Sequence, residues 1–558
     1  MLKLKMTKEG GVEEKMAENR SDGEGNGNLE MAEEGGNVEN KEKNSKAIDE
    51  KEIPLINRVL PPEILEKVFS HLRAINDLNN VMLVCKTWKN IGEAPALWSG
   101  FTITRDSQLP SKRLQGCQEI FVGYDWKLNK RIGNKFTLGV VCQNVLERPA
   151  VKKITLANQG IWEHSHTLYG SREDWIRIEG DIITEAFAKV EELVIYGLFP
   201  QGSGLSIRAR QEAAANQGVV AKWVVDAILD RPNHLKRLFL VNLSHRKGVD
   251  SLRLATALNK MQILMVKLWR EEDVNLLFKT MVQSETSVTS LSLLGNLVLS
   301  ELEPEYLFGV FDKLKELGIR AGDNPQNHPR QRATVRTLCE KIAAGTKLKT
   351  LRLQGFSDLS QVNRSTLSEM VTHLEELELS GRLTGQSFSR DDITTIVRGI
   401  ATNETSNMKK LIIDTDLGSV DSRLFTQMAA KVVDLEVQSE VNELQAIAVF
   451  GAIAGQAGLG TLRLRKLTLV NCLYLQKLDA DVAAIALNSL EYFHLPYHQG
   501  TFFTVDQTEK ILRQAKKRTT LKKLSIWVLG YTRYKDHPLD PLITEAKKMI
   551  PDLDIWDI

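Results

Sequence analysis

Residues 348–354 read Leu348-Lys349-Thr350-Leu351-Arg352-Leu353-Gln354, and the same phrase returns as Leu374-Glu375-Glu376-Leu377-Glu378-Leu379-Ser380. Apolar side chains fall at the first, fourth and sixth places. The last two alternate with polar neighbours, the period of a strand with one buried face. Working outward from this pair, the phrase is found fourteen times between Val151 and Ile555. Its central residues are Ile154, Leu193, Leu238, Leu264, Leu291, Leu317, Leu351, Leu377, Leu411, Leu435, Leu467, Phe493, Leu524 and Leu553. A phrase this short recurs by chance, on the order of ten times in 400 residues, so spacing is the better evidence. The central residues stand 24 to 45 positions apart, most of them near 30. Helical patterns fill the intervals: Val220, Trp223, Val224, Ala227 and Ile228 share one face, as do Ile393, Ile396, Val397 and Ile400. Asp506-Gln507-Thr508-Glu509 reads as a capping box ahead of Ile511, Leu512 and Ala515. A short strand followed by a helix, repeated this often, predicts a solenoid with parallel strands on its concave side and helices on its convex side. No single unit buries its apolar face alone, so stacking supplies the core.

Upstream, residues 54–101 carry a different pattern. Pro61 and Pro62 open a helix, where their missing N–H groups cost nothing. Ile64, Leu65, Val68, Phe69 and Leu72 follow at helical spacing, and Asn76-Asp77 caps a second pattern of Leu78, Val81, Met82, Cys85 and Trp88. Pro95 ends it, and Leu97-Trp98 follows. So small an all-helical unit needs a neighbour or a partner to cover its apolar surface. Residues 102–150 read as a linker or as irregular first repeats, with a strand at Ile120-Phe121-Val122 and a helix from Phe136 to Leu146.

The order Leu60-Pro61-Pro62-Glu63-Ile64-Leu65, Leu72, Asp77-Leu78, Val84-Cys85-Lys86-Thr87-Trp88, Leu97-Trp98 resembles the F-box in sub-patterns and spacing. The later phrases resemble leucine-rich repeats, whose period is roughly 20–29 residues. The Asn usual after the strand is mostly missing, with Asn242, Asn296 and Asn471 as counterparts. An F-box followed by such repeats resembles the F-box/leucine-rich-repeat family. That resemblance implies a substrate receptor of a Skp–cullin–F-box ubiquitin ligase, with a Skp-type adaptor, a cullin scaffold and a protein target as partners.

Composition sets the outer bounds. At 558 residues the chain exceeds one core, and its 42% apolar and 26% charged content is that of a soluble protein. Residues 1–50 hold seven Gly, no aromatic residue, and 8 basic against 13 acidic side chains, which predicts a disordered tail. The rest carries 65 basic and 58 acidic residues, or +7. Lys516-Lys517-Arg518 is too short for a phosphate track, so no nucleic-acid partner is expected. The five cysteines, Cys85, Cys117, Cys142, Cys339 and Cys472, form no C-x-x-C pair, which argues against zinc and a disulfide scaffold. No signal peptide or membrane span is read, so a cytoplasmic or nuclear protein is expected.

No phosphate loop, H-E-x-x-H or G-x-S-x-G motif occurs. A non-enzymatic chain with no cofactor and no metal is expected. His164 and His166 beside Glu163 read as loop surface, and Cys85 beside Trp88 as a small hydrophobe. The adaptor-binding candidates are Leu60, Pro61, Ile64, Leu65, Val68, Phe69, Leu78, Val84, Trp88 and Trp98, divided between the partner and the module's own core in a way spacing does not settle. On the solenoid, residues alternating with the buried ones are candidates for target binding: Tyr196, Phe239, Trp269, Arg320, Arg352, Glu378, Asp414, Glu436 and Trp527, with Lys267, Gln354 and Gln438 beside them. Two other readings stay open. One is a repeat scaffold or inhibitor unconnected with ubiquitin, its helical module serving as an end cap. The other is an enzyme in residues 102–235 with Trp162, His164 and Trp175 lining a pocket.

Overall fold

The computed structural model describes residues 61–69, 82–84, 86–98, 102–103, 116–122, 124–125, 130–131, 138–157, 172–196, 207–241, 249–268, 271–297, 301–321, 329–355, 359, 361–380, 389–404, 406–414, 417, 420–472, 474–496, 501–531 and 537–557. The tail read as disordered, and Trp162, Glu163, His164, His166 and Cys85, lie outside the described residues.

Two short helices, α1 (Pro62–Phe69) and α2 (Lys86–Gly92), and a 3-10 turn at Pro95–Trp98 come first. Strands β1 (Thr102–Ile103) and β2 (Glu119–Val122) follow, then a small antiparallel hairpin, β3 (Tyr124–Asp125) with β4 (Lys130–Arg131). Helix α3 (Leu138–Glu147) leads into regular alternation: β5 (Lys153–Leu156), α4 (Arg172–Lys189), β6 (Glu192–Tyr196), α5 (Ile207–Leu229), β7 (Arg237–Val241), α6 (Ser251–Leu258), β8 (Ile263–Val266), α7 (Glu271–Gln283) and β9 (Ser290–Leu297). It continues through α8 (Pro304–Gly309), β10 (Glu316–Ala321), α9 (Pro329–Ala343), β11 (Thr350–Gln354), α10 (Arg364–His373), β12 (Glu376–Ser380), α11 (Arg390–Thr402) and β13 (Lys410–Asp414). The last units are α12 (Ser422–Lys431), β14 (Asp434–Glu440), α13 (Glu443–Leu459), β15 (Lys466–Asn471), α14 (Ala480–Asn488), β16 (Tyr492–His494), β17 (Phe503–Thr504), α15 (Val505–Lys517), β18 (Lys523–Leu529), α16 (Asp540–Ala546) and β19 (Asp552–Asp557).

Seventeen of these strands form one parallel sheet in chain order, with β17 added beside β18. The fold is therefore the mixed α/β solenoid expected from the repeated phrase. Register is set by the apolar centres. Ile120 opposes Ile154, Ile154 opposes Leu193, and the column continues strand by strand to Leu524 opposite Leu553. All fourteen central residues predicted from sequence stand in this column. Every apolar position of every phrase is buried, none of them above the 7% exposure of Leu553. Such a side chain contributes about 1.5–3 kcal/mol on burial, so the column is the main source of stability. Backbone amides lock it: Lys349 and Thr350 both donate to the Lys315 carbonyl (2.7 and 3.0 Å), and Glu375 and Glu376 both donate to that of Lys349 (2.8 and 3.0 Å).

The helices pack their predicted faces onto this sheet, with Val220, Val224, Ile228, Ile393 and Ile400 at most 1% exposed. Lysines from the next repeat close helix ends. Lys189 Nζ donates to the Val145 and Leu146 carbonyls at the end of α3 (2.8 and 2.6 Å), and Lys313 Nζ to those of Met281 and Val282 at the end of α7 (2.6 and 3.1 Å). A cation there satisfies carbonyls that a helix leaves open and meets the negative end of its dipole.

The capping box near residue 506 lies two residues earlier than the sequence reading placed it. Helix α15 begins at Val505, and Thr504 is the cap: its Oγ accepts from the Gln507 amide (3.2 Å) while its own amide donates to Gln507 Oε1 (2.9 Å). Thr504 is paired in β17, so its extended backbone already suits the cap position. Gln507 has a second task. Its Nε2 donates to the Leu475 and Leu478 carbonyls (2.9 and 2.7 Å), and Gln445 repeats the arrangement on those of Leu417 and Val420 (2.5 and 2.9 Å). These glutamines tie each loop to a helix of the following repeat. Gln445→Leu keeps the volume but leaves two buried carbonyls without a donor. It is expected to cost about 1–3 kcal/mol, read as a lower urea midpoint at unchanged slope.

Candidate functional site

The first candidate site is the N-terminal helical module. Helix α1 is opened by the Ile64 amide donating to the Pro61 carbonyl at 3.0 Å. Its side chains divide by position. Leu65 and Phe69, one turn apart, are each 2% exposed, whereas Ile64 and Val68 on the adjoining stripe are 44% and 50% exposed. Pro61 is exposed as well. In the turn before α2, Leu83 (83%) and Val84 (51%) face outward. Leu83 went unnoticed in the sequence because it falls outside the helical period.

From Leu65 to Ile558 the chain is one compact unit. Phe69 meets the half-buried Trp88 edge-on, with ring centroids 5.2 Å apart. Trp98 is 1% exposed, and its indole Nε1 donates to the Gly92 carbonyl at 2.8 Å. Gly92 packs closely here: a Cβ would stand 2.4 Å from Met82 Cγ, so the Met82 side chain would have to shift. The Trp98 carbonyl accepts from the Cys117 thiol (3.3 Å), joining the 3-10 turn to the chain entering β2. Of the adaptor candidates, Leu65, Phe69 and Trp98 thus serve the protein's own packing. Pro61, Ile64, Val68 and Val84 present surface, and Leu60 and Leu78 lie outside the described residues.

The second candidate site is the sheet face turned away from the helices. Tyr196 (42%) and Arg320 are exposed there, while Phe239, Glu436 and Trp527 are half-buried. Arg352 approaches Glu376 (3.5 Å) and Glu378 (3.8 Å), and Glu378 also accepts from Gln354 Nε2 (2.6 Å). Gln438 Nε2 donates to Glu436 in the same way (2.6 Å). Asp414 departs from expectation: it is 4% exposed and accepts from Ser380 Oγ (3.1 Å), because its strand neighbour covers it. Trp269 lies outside the described residues.

Two residues of this face were not singled out from sequence. Trp556 stacks on Trp527 with centroids 5.6 Å apart. His494 stands opposite Thr468 and Ser525, and burial, then the charge of Lys523, lowers its pKa below the ordinary histidine value. Both lie on the outward-facing alternation, His494 one residue and Trp556 three residues past the apolar centres Phe493 and Leu553. The described cysteines are all buried, and burial pushes the thiol of Cys117 to about 11 and those of Cys339 and Cys472 to about 12. Such thiols are packing groups, not nucleophiles. Among the described residues no cluster of three metal-ligating side chains occurs, and no helix is long and apolar enough to cross a membrane.

Residues 58–104 match the F-box-like family model. This segment is an F-box-like domain. The F-box-like domain and the parallel strand–helix repeats after it give the chain the architecture of an F-box/leucine-rich-repeat protein. Among solved structures, a chain in the crystal structure of the yeast Rad7 and Elc1 complex is similar at 14% identity and a TM-score of 0.38, over 88% of this chain and 92% of that one. No curated protein matches.

Proposed function

We propose that this chain is the target-binding receptor of a Skp–cullin–F-box ubiquitin ligase. The observation that carries this is the division within α1 of the F-box-like domain. Leu65 and Phe69 are spent on the protein's own core, while Ile64 and Val68 remain outside as an apolar stripe. A module of this size holds aliphatic side chains in water where another protein's helix is to cover them. The Skp-type adaptor is the partner that an F-box-like domain fits, and a cullin joins through that adaptor. The sheet face, with aromatic and charged side chains of both signs, suits a protein target. The chain then acts by proximity: it raises the concentration of a target lysine near a separately recruited conjugating enzyme. Its place of work is the cytoplasm or the nucleus, where ubiquitin is conjugated.

Affinity purification tests the whole reading. The full chain is expected to bring down adaptor and cullin. A variant lacking residues 58–104 should lose both and retain a target that accumulates. Purification of stable partners with no adaptor or cullin among them would favour a repeat scaffold unconnected with ubiquitin.

A further inference from the structure

The outer face of α13 is apolar. From Leu444 to Leu462 the chain carries no charged side chain. The inner face of the helix is buried in the core, with Val449, Phe450 and Ile453 at most 3% exposed. On the outer face Leu444 is 70% exposed and Ile447 44%. Ile485, on the α14 helix packed alongside, adds a third aliphatic side chain at 43%. Helix α15, two helices on, instead turns Asp506, Arg513 and Lys516 outward, as a solvated helix face does.

Three glycines complete the outer face. Gly451, Gly455 and Gly458 are exposed, and a Cβ at any of them would meet nothing within 4 Å. The protein's own packing therefore does not call for them. Glycine also weakens a helix interior relative to alanine, since it has more freedom to lose. What small residues permit is the close approach of another helix backbone.

The spacing identifies what approaches. At about 100° per residue, Leu444, Ile447, Gly451, Gly455 and Gly458 lie within about 40° of one line along the helix. The stripe is complementary to itself about Gly451: Leu444 and Gly458 each stand seven residues from it, and Ile447 and Gly455 each stand four. An identical helix running the opposite way brings Leu444 of each copy level with Gly458 of the other, and Ile447 level with Gly455. Each large side chain then meets a gap. A parallel helix would set leucine against leucine and gap against gap. The ends agree with the antiparallel choice. Glu443, whose carboxylate also accepts from Lys477 (2.6 Å), opens the helix, and Arg463 stands just past its end. Reversal therefore brings opposite charges and opposite helix-dipole ends together at both ends.

We propose that α13 is a self-association face, on which a second copy of this chain docks antiparallel about a two-fold axis at Gly451. A two-fold contact uses the same patch on both copies and so needs a patch that complements itself. One helix face falls short of the roughly 800 Å² per partner of a standard interface, so the dimer forms at micromolar rather than nanomolar concentration.

Sedimentation velocity of the full chain over roughly 1–100 μM tests this. The weight-average mass should rise from one chain toward two. Gly451→Gln with Gly455→Gln fills the gaps with side chains that stay hydrated in the free protein. That variant should remain monomeric throughout, with a thermal midpoint unchanged or raised. Cysteine cross-linking under mild oxidation reads the direction. Gly451→Cys should link to itself, and Leu444→Cys should link to Gly458→Cys when the two are mixed, each above the level of the unaltered chain. Leu444→Cys alone should not. A chain that stays monomeric at the highest concentration overturns the proposal and leaves the face to a different protein. Self-association that survives in the double glutamine variant places the contact elsewhere and overturns it too. Leu444→Cys linking to itself, the mark of a parallel pair, does the same. Adaptor capture through α1 is read separately and is unaffected by any of these results.

Discussion

Ile64→Asp with Val68→Asp is expected to abolish co-purification of the Skp-type adaptor while leaving the repeats folded. Both side chains are roughly half exposed, so a carboxylate at either place stays hydrated in the free protein. At a covered interface the same carboxylates are stripped of water opposite apolar atoms, which is costly. Central apolar anchors often carry about 2 kcal/mol each on truncation, so losing two weakens binding on the order of a thousandfold. The control lies one position along the helix. Leu65→Ala removes a side chain only 2% exposed and should cost about 2–5 kcal/mol of stability through the cavity it leaves. The two variants therefore separate cleanly. The double aspartate should lose the adaptor at an unchanged thermal midpoint, and the alanine should lower the midpoint of the region it packs. Undiminished adaptor capture by the double aspartate, with both variants folded, would remove the basis for placing the docking face on α1.

What the sequence made legible follows from which property each conclusion needed. The solenoid needed only periodicity. A two-residue alternation repeated at near-constant spacing gives the same strand each time, and Leu351, Leu377 and Leu411 fell into one column because burying each requires its neighbour in register. Resemblance located the F-box-like segment, but composition could not say which of its apolar residues face inward. Leu65 and Ile64 are adjacent in sequence and alike in chemistry. Only the packing around them tells a 2% exposed leucine from a 44% exposed isoleucine. Arg352, Glu378 and Trp527 stand at the strand positions that alternation assigns them. Asp414 is buried for a reason that alternation does not carry. It sits on the expected row, yet its partner strand brings Ser380 over its carboxylate, a long-range contact that no local pattern encodes. The positive φ of Gly295 in β9 was equally hidden, since the residue letter does not state its backbone angle.

Phe493→Ala should be among the most damaging single truncations in the repeats, because its position joins two sources of stability. Phe493 occupies the register column, opposite Leu467 on one side and Leu524 on the other, and is wholly buried. It is also the middle ring of a run of three. Phe450 lies 6.2 Å away by ring centroid and Phe503 6.2 Å away, both edge-on at 74° and 65°. Edge-to-face contacts add about 0.5–1.5 kcal/mol beyond area burial, and a buried Phe→Ala change costs about 3–5 kcal/mol in all. The three rings belong to α13, β16 and β17, so the cavity would loosen successive repeats together. In a solenoid each repeat leans on its neighbours, and a weak interface splits one cooperative transition into two. Urea unfolding of Phe493→Ala should therefore show a separate early transition for the C-terminal repeats, with hydrogen exchange rising first in α13, β16 and α15. Phe493→Leu, which keeps most of the volume, should restore most of the loss. A single transition at the unaltered midpoint in the alanine variant would show that the aromatic run does not couple these repeats.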